Sequence, residues 1–454
     1  MKGLEKLAGV FVALVFVLNL LRALAPPLKW DSLVYHLQVP QAYLAAGKIF
    51  FYPENFYSGF PQMVEVLFTW AMAFGGASTA AVFGWTVSVL AFLGVEGFSR
   101  RLLGQGTRWL APAVLLGGYS ISQAMNWAYL ELWVLLFGTL VLLALDYYLR
   151  SSQRAWLLFA GILLGFAISI KYTAGTLLVM AGVMLLVREP NPKGSKANPF
   201  GFRRWIFEML TIGGVAAMLV LPWLLKNLIL MGNPLYPLWT PGDQIDPWQQ
   251  AFHSGSSPQR SLVEDLLLPF EATFFGIEGG KIEGTPEYGA SLGPFLLALI
   301  PGLLLGWRSW EISQQRTLRQ LLAVAACTWL LWSVAAHFAD ELMRPRHWFG
   351  VFGALAVLAV AGFQSASTIR FPALRLGRVL SALVFLGLVL AALNELVEFS
   401  RANPLPVVLG SQSQDDYLDQ QLGWYSPAVR AVNQLPRDAT VLFLWEPRTL
   451  YCQV

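Results

Sequence analysis

Eleven apolar stretches divide this chain of 454 residues, most of them near the roughly 20 residues that carry a helix across a bilayer, and few bear a charge. They lie at about 7–25, 78–98, 109–122, 127–149, 156–170, 173–187, 205–225, 290–307, 318–336, 347–364 and 377–396. Backbone polar groups inside hydrocarbon must pair within their own segment, so the predicted fold is an all-α polytopic membrane protein. Composition agrees: hydrophobic residues make up 56% and charged residues 13%, about half of the roughly 25% charge of a soluble domain. The formal charge of +4 comes without the basic, aromatic-rich patch that binds nucleic acid, so no nucleic-acid partner is expected. Cys327 and Cys452 give neither metal-ligand spacing nor a disulfide framework.

The distribution of Lys and Arg sets a topology. Lys2 and Lys6 precede the first run. Ala23-Leu24-Ala25 fits a signal-peptide cleavage site, whereas the spans that follow favour a retained first helix. The stretch 156–187 is too long for one span, about 48 Å as a helix against a core of about 30 Å, and short for two. Arg150 and Arg154 before it and Arg188, Lys193, Lys196, Arg203 and Arg204 after it belong on one side. It is therefore predicted to be a hairpin of short helices turning at 171–175. With eleven spans and a cytoplasmic N-terminus, more than half of the 31 basic residues fall in cytoplasmic loops. Segments 27–77, 226–289 and everything after about 396 then lie outside the cell membrane, so the C-terminus is external. Residues 1–396 form the membrane module and 397–454 an outer-face segment. No internal repeat is evident, which speaks against a transporter built from duplicated halves.

The outer segments carry the chemistry. In 27–77, a short helix opening at Pro61 and ending before Gly75-Gly76 is expected to lie in the interface, with Glu65 on its polar face. Asp31, directly after the first apolar run, is a lone carboxylate at the membrane edge; the competing reading is an ordinary loop Asp. In the tail, 415–421 and 426–435 have helical patterning and 440–445 has strand character, like the opening of a small α/β unit that is either cut short or docked on the outer loops.

The cations make a separate case. Arg344, Arg346 and His347 open a late span, where their charge adds to the helix's positive end, a natural seat for phosphate; a local ion-pair cluster with Asp340 and Glu341 is the alternative. Lys171 is the single charge in 156–187 and is expected to face a cavity rather than lipid. Lys226 is either a third phosphate contact or an interface anchor.

Taken in order, these features resemble the C-type (GT-C) glycosyltransferases, and within them the family 39-like branch of protein O-mannosyltransferases and the lipid A aminoarabinose transferase. The resemblance rests on Asp31 followed by Tyr35 and His36, the proline-started interfacial helix, Arg100-Arg101-Leu102-Leu103-Gly104, the stretch from Gly165 to Gly175, Leu221-Pro222-Trp223 with Asn233-Pro234-Leu235-Tyr236-Pro237, and Arg344-Pro345-Arg346-His347. It implies a GT-C bundle with juxtamembrane helices on the outer face. It makes Asp31 the catalytic base and Glu131 a second acidic position, with Tyr35, His36, Lys171, Lys226, Arg344, Arg346 and His347 on the substrates. The family's acidic pair is Asp-Glu, and here Ser32 stands second. A divalent metal is left open by the resemblance, with Asp31 and Glu54 as its candidate ligands.

The function so implied is transfer of a sugar from a polyprenyl-phosphate donor to a lipid, glycan or protein acceptor on the outer face of the cell membrane. A lipid-linked glycan flippase, binding without turnover, and a lipid-linked glycan polymerase or ligase, relying on outer-loop arginines, are the alternatives.

Overall fold

A computed structural model describes residues 2–52, 55–188, 201–238, 260–369, 375–436, 439–444 and 446–452. Helices account for all regular structure among these residues, as the apolar pattern requires. The protein is an integral membrane protein: seven described helices are long and apolar enough to cross a bilayer, and 154–170, 172–186 and 295–309 are shorter apolar helices.

Helix α1 (Lys2–Leu24) leads into a π-helical turn, Ser32–His36, and α2 (Gln38–Ala46). Next comes α3 (Met63–Leu103), which would be about 60 Å long if straight. It is not straight: the backbone leaves helical geometry at Gly75 and Gly76, separating an interfacial piece from the span. The expected helix after Pro61 is thus present, but Glu65 is buried at 2% exposure instead of facing water.

The expected span at 109–122 is two short buried helices, α4 (Leu110–Leu116) and α5 (Tyr119–Gln123), interrupted at Gly117 and Gly118. The hairpin forms as expected from α6's neighbours: α6 (Glu131–Ser151) is followed by α7 (Arg154–Ile170), a turn at Lys171, and α8 (Thr176–Leu186). Helix α9 (Phe202–Met231) lies against α7 where Gly161 and Gly165 remove side-chain bulk; a Cβ on Gly165 would come within 2.9 Å of the Ala216 carbonyl oxygen.

The second half holds α10 (Leu262–Phe275), two short helices α11 (Phe295–Leu299) and α12 (Gly302–Gly306) in place of one span at 290–307, and α13 (Ile312–Phe338). A 3₁₀ stretch, Pro345–Val351, runs into α14 (Phe352–Ser367), and together they form the most enclosed of the seven described spans. This stretch meets α6 at Gly138, where a Cβ would sit 2.0 Å from the Gly350 carbonyl oxygen. That approach brings the Arg346 turn beside the first residue of α6, Glu131.

Helix α15 (Leu376–Ala402) is followed in the tail by α16 (Leu405–Val408), α17 (Gln414–Leu422) and α18 (Tyr425–Val432). The strand expected at 440–445 is not formed: 440–444 is irregular, with Leu442 80% exposed, and 445 lies outside the described residues. A strand needs a partner, and the described tail supplies none. Residues 449–451 dock instead on the first outer segment. The N–H groups of Thr449 and Leu450 both donate to the Leu33 carbonyl at 3.2 Å, and the Tyr451 hydroxyl donates to the Pro27 carbonyl at 2.7 Å.

Candidate functional site

The π-helical turn after α1 gives Asp31 its setting. The Leu37 N–H reaches back five residues to the Ser32 carbonyl, Leu33 turns its own carbonyl to the tail, and the Ser32 hydroxyl donates to the Trp127 carbonyl. The Asp31 N–H donates to the Tyr129 hydroxyl at 3.0 Å. Insertions of this kind in helices often mark functional positions, because they re-aim one side chain.

Asp31 is aimed at Arg346. Arg346 Nη1 donates to Asp31 Oδ2 at 2.9 Å across 315 positions of sequence, and its Nη2 donates to Glu341 Oε1 at 2.9 Å. Glu341 also takes Arg344 at 3.1 Å and lies 3.1 Å from His347 Nε2, while Arg344 lies 3.7 Å from Glu287. The phosphate-seat residues therefore form the ion-pair cluster that was the alternative, with Asp31 added from the far end of the chain. Burial alone would raise the Glu341 carboxyl; the hydrogen bond from His347 and the guanidinium charges of Arg346 and Arg344 outweigh it and hold the group well below the usual carboxylate range.

Beside this pair, Lys171 Nζ donates to Glu131 Oε1 at 3.2 Å, so the hairpin's single charge is paired with a buried carboxylate. His36 Nδ1 shares a 2.9 Å hydrogen bond with Glu65 Oε1, both side chains being 3% exposed. Tyr35 stacks on Tyr57 with ring centres 4.0 Å apart. Burial, reinforced by the Asp31 carboxylate, pushes the phenols of Tyr35 and Tyr129 well above their ordinary value and that of Tyr57 up to about 12, so all three stay protonated at working pH.

Lys226 is placed differently. Its ammonium donates to the Ser58 carbonyl at 2.7 Å and lies 3.4 Å from that of Phe60, and the neighbouring Asn227 donates to the Gly59 carbonyl at 2.8 Å. It braces the outer segment. The metal candidates fit poorly. Among the described residues no three His, Cys, Asp or Glu side chains gather as a metal site, Asp31 and Glu131 each hold a cation already, and Glu54 lies outside the described residues.

The structure thus brings Asp31, Glu131, Lys171, Arg344, Arg346, His347, Tyr35 and His36 to one end of the bundle and adds Glu341, Glu65 and Tyr129. Glu65 reads from the sequence as the polar face of the interfacial helix because its partner is 29 positions away, beyond any helical period. No family model and no curated protein matches the sequence. Solved structures do. ArnT from Cupriavidus metallidurans bound to undecaprenyl phosphate superposes with a TM-score of 0.58 at 15% identity, covering 97% of this chain and 84% of its own. The fold is that of the C-type glycosyltransferases. The same ArnT in its apo state gives 0.56 at 15% identity over 97% and 83%. The apo oligosaccharyltransferase of Archaeoglobus fulgidus gives 0.47 at 13% identity over 95% and 58%.

Proposed function

We propose that this protein moves a sugar from a polyprenyl-phosphate-linked donor to a lipid, glycan or protein acceptor at the outer face of the cell membrane. The carrying observation is the contact of Asp31 with Arg346 at one end of a bundle with the C-type glycosyltransferase fold. The ArnT of similar fold was crystallised with undecaprenyl phosphate, a ligand that fits a cluster of Arg344, Arg346 and Lys171. Arg346 is shared between two carboxylates, so an arriving phosphate competes for it. In taking it, the phosphate frees Asp31 Oδ2.

Transfer then follows from charge and position. The acceptor oxygen bonds to the anomeric carbon while the carbon–oxygen bond to phosphate breaks. Its electron pair leaves with the polyprenyl phosphate, and the acceptor proton passes to Asp31. The leaving group is a stable anion, so the protein's work is to neutralise it and to hold the acceptor in line. Tyr129, bonded to the Asp31 backbone, fixes the carboxylate's origin. Glu131 orients the substrates beside Lys171.

Asp31→Asn keeps volume but cannot accept a proton at neutral pH. With purified protein and undecaprenyl-phosphate-linked sugars, it is expected to lower turnover about 100- to 10,000-fold, while the fold is kept and donor binding is retained or tightened a few-fold by the loss of a carboxylate that competes for Arg346. Near-normal turnover would move a transport role ahead. The charge bias supports a cytoplasmic N-terminus and an external site and C-terminus. In a cysteine-free background, a membrane-impermeant thiol reagent added outside should label Lys281→Cys and spare Arg203→Cys, both exposed positions; the reverse would invert the topology.

A further inference from the structure

Among the described residues, six of thirteen buried polar side-chain atoms without a partner lie around this site. They are Glu65 Oε2, Glu131 Oε2, Thr173 Oγ1, Asn227 Oδ1, Arg346 Nε and His347 Nδ1. Their surroundings are continuous. Glu131 is bonded to Lys171, Thr173 lies in the same turn, and Asn227 donates to the Tyr172 hydroxyl of that turn at 3.3 Å. Glu65 is held by His36, whose ring lies 5.5 Å from that of Tyr129, two positions before Glu131.

The chemistry of these atoms is lopsided. Glu65 Oε2 and Glu131 Oε2 are pure acceptors, 2% and 5% exposed as residues, and each carboxylate already has a partner on its other oxygen. Asn227 Oδ1 is a third acceptor, its orientation fixed because the amide nitrogen donates to the Gly59 carbonyl. Burying a carboxylate oxygen without a donor is costly, and here two belong to one connected cluster of side chains. The group that belongs there brings donors.

We infer that the ring of the transferred sugar is received at this cluster, that Glu65 and Glu131 read it through hydroxyl or ammonium groups, and that sugars bearing a carboxylate are refused. This rests on the glycosyl-transfer reading above. Glu65 is then a specificity residue, and His36 positions it by occupying Oε1 and leaving Oε2 to the sugar. The phosphate lies at Arg346 and Arg344, so the anomeric carbon falls beside Asp31.

The test is equilibrium binding to the purified full chain in nanodiscs. The probes are undecaprenyl phosphate alone and the same lipid phosphate bearing glucose, mannose, galactose, glucosamine or glucuronic acid. At least one neutral or amino sugar is expected to bind tenfold or more tightly than the bare lipid phosphate, and the glucuronyl lipid more weakly than it. A gain confined to glucosamine assigns an ammonium group, and a gain with a hexose assigns hydroxyls. In Glu65→Gln the gain should fall away while affinity for bare undecaprenyl phosphate is unchanged, and the wild-type series stands even if that variant folds poorly. If no neutral or amino sugar adds affinity, or the glucuronyl lipid binds tightest, the inference is overturned while Arg346-dependent binding of the bare lipid keeps the transfer reading alive. Failure to bind any undecaprenyl phosphate overturns both.

Discussion

Two pairs of buried carboxylates, one pair at each end of the bundle, are treated in opposite ways. Glu131 and Asp146 sit on the same helix, α6, about 22 Å apart. Asp146 is covered on both oxygens, by Arg150 at 2.9 Å and Thr317 at 2.8 Å on one and by Arg101 at 3.3 Å and Arg150 at 2.9 Å on the other. Glu208, near the start of α9, takes Tyr148, Arg204 and Arg188 on one oxygen and Arg188 on the other. Glu131 and Glu65, at the opposite end, each keep one oxygen bare. A carboxylate that ties helices together is saturated by the protein. One that meets a ligand is left partly unmet, and its neighbours divide their bonds, as Arg346 does between Asp31 and Glu341. The contrast is between these four acids, since Glu96 Oε1 and Arg188 Nη2 at the Asp146 end also lack a partner.

If the ends differ in this way, mutations should separate them. Glu208→Gln strands Arg188, whose side chain is 8% exposed. Breaking a buried pair from one side costs about 3–5 kcal/mol, so thermal unfolding in detergent should come markedly earlier while turnover per folded molecule is retained. Arg346→Ala and Lys171→Ala should do the converse. Each removes a charge-assisted contact worth about 1.5–3 kcal/mol and should weaken undecaprenyl phosphate binding with a smaller loss of thermal stability. Unchanged lipid affinity in both, with early melting, would make the two ends alike.

The smallest expected effect is a gain. Glu341→Gln releases Arg344 and Arg346 from a competing carboxylate and should tighten undecaprenyl phosphate binding a few-fold at neutral pH. Its pH dependence follows from the lowered carboxyl of Glu341. A depressed acid keeps its ion pairs above the unfolded value of about 4.3 and loses them only as pH falls through the lower folded value. The ratio of variant to wild-type affinity should therefore be flat from pH 7 down to about 5. A ratio that changes across that interval would show that Glu341 is not the group that restrains the arginines.

Much of the frame was legible along the chain. The Gly75-Gly76 interruption and the hairpin at Lys171 are local signals, and each is where the sequence places it. What escaped is pairing at a distance. Glu65 has the spacing of a polar helix face, and only the fold brings His36 to it. Lys226 was ambiguous because its partners are the backbone carbonyls of Ser58 and Phe60, which side-chain composition does not reveal. The apolar alternation at 440–444 suggests a strand, but extended structure depends on a neighbour that this tail lacks among the described residues. The stretch at 109–122 is apolar enough for a span and is broken by two adjacent glycines, a break that hydropathy does not register.

The docking of residues 449–451 onto Pro27 and Leu33 has a consequence for biogenesis. The turn bearing Asp31 enters the membrane among the first parts of the protein to be made, yet its Leu33 carbonyl meets its partners only once Thr449 and Leu450 have been synthesised. At about 5–20 residues per second, that interval is roughly 20–80 s. A nascent chain halted shortly before them would hold the membrane helices with the first outer segment still lacking its bonds to the tail.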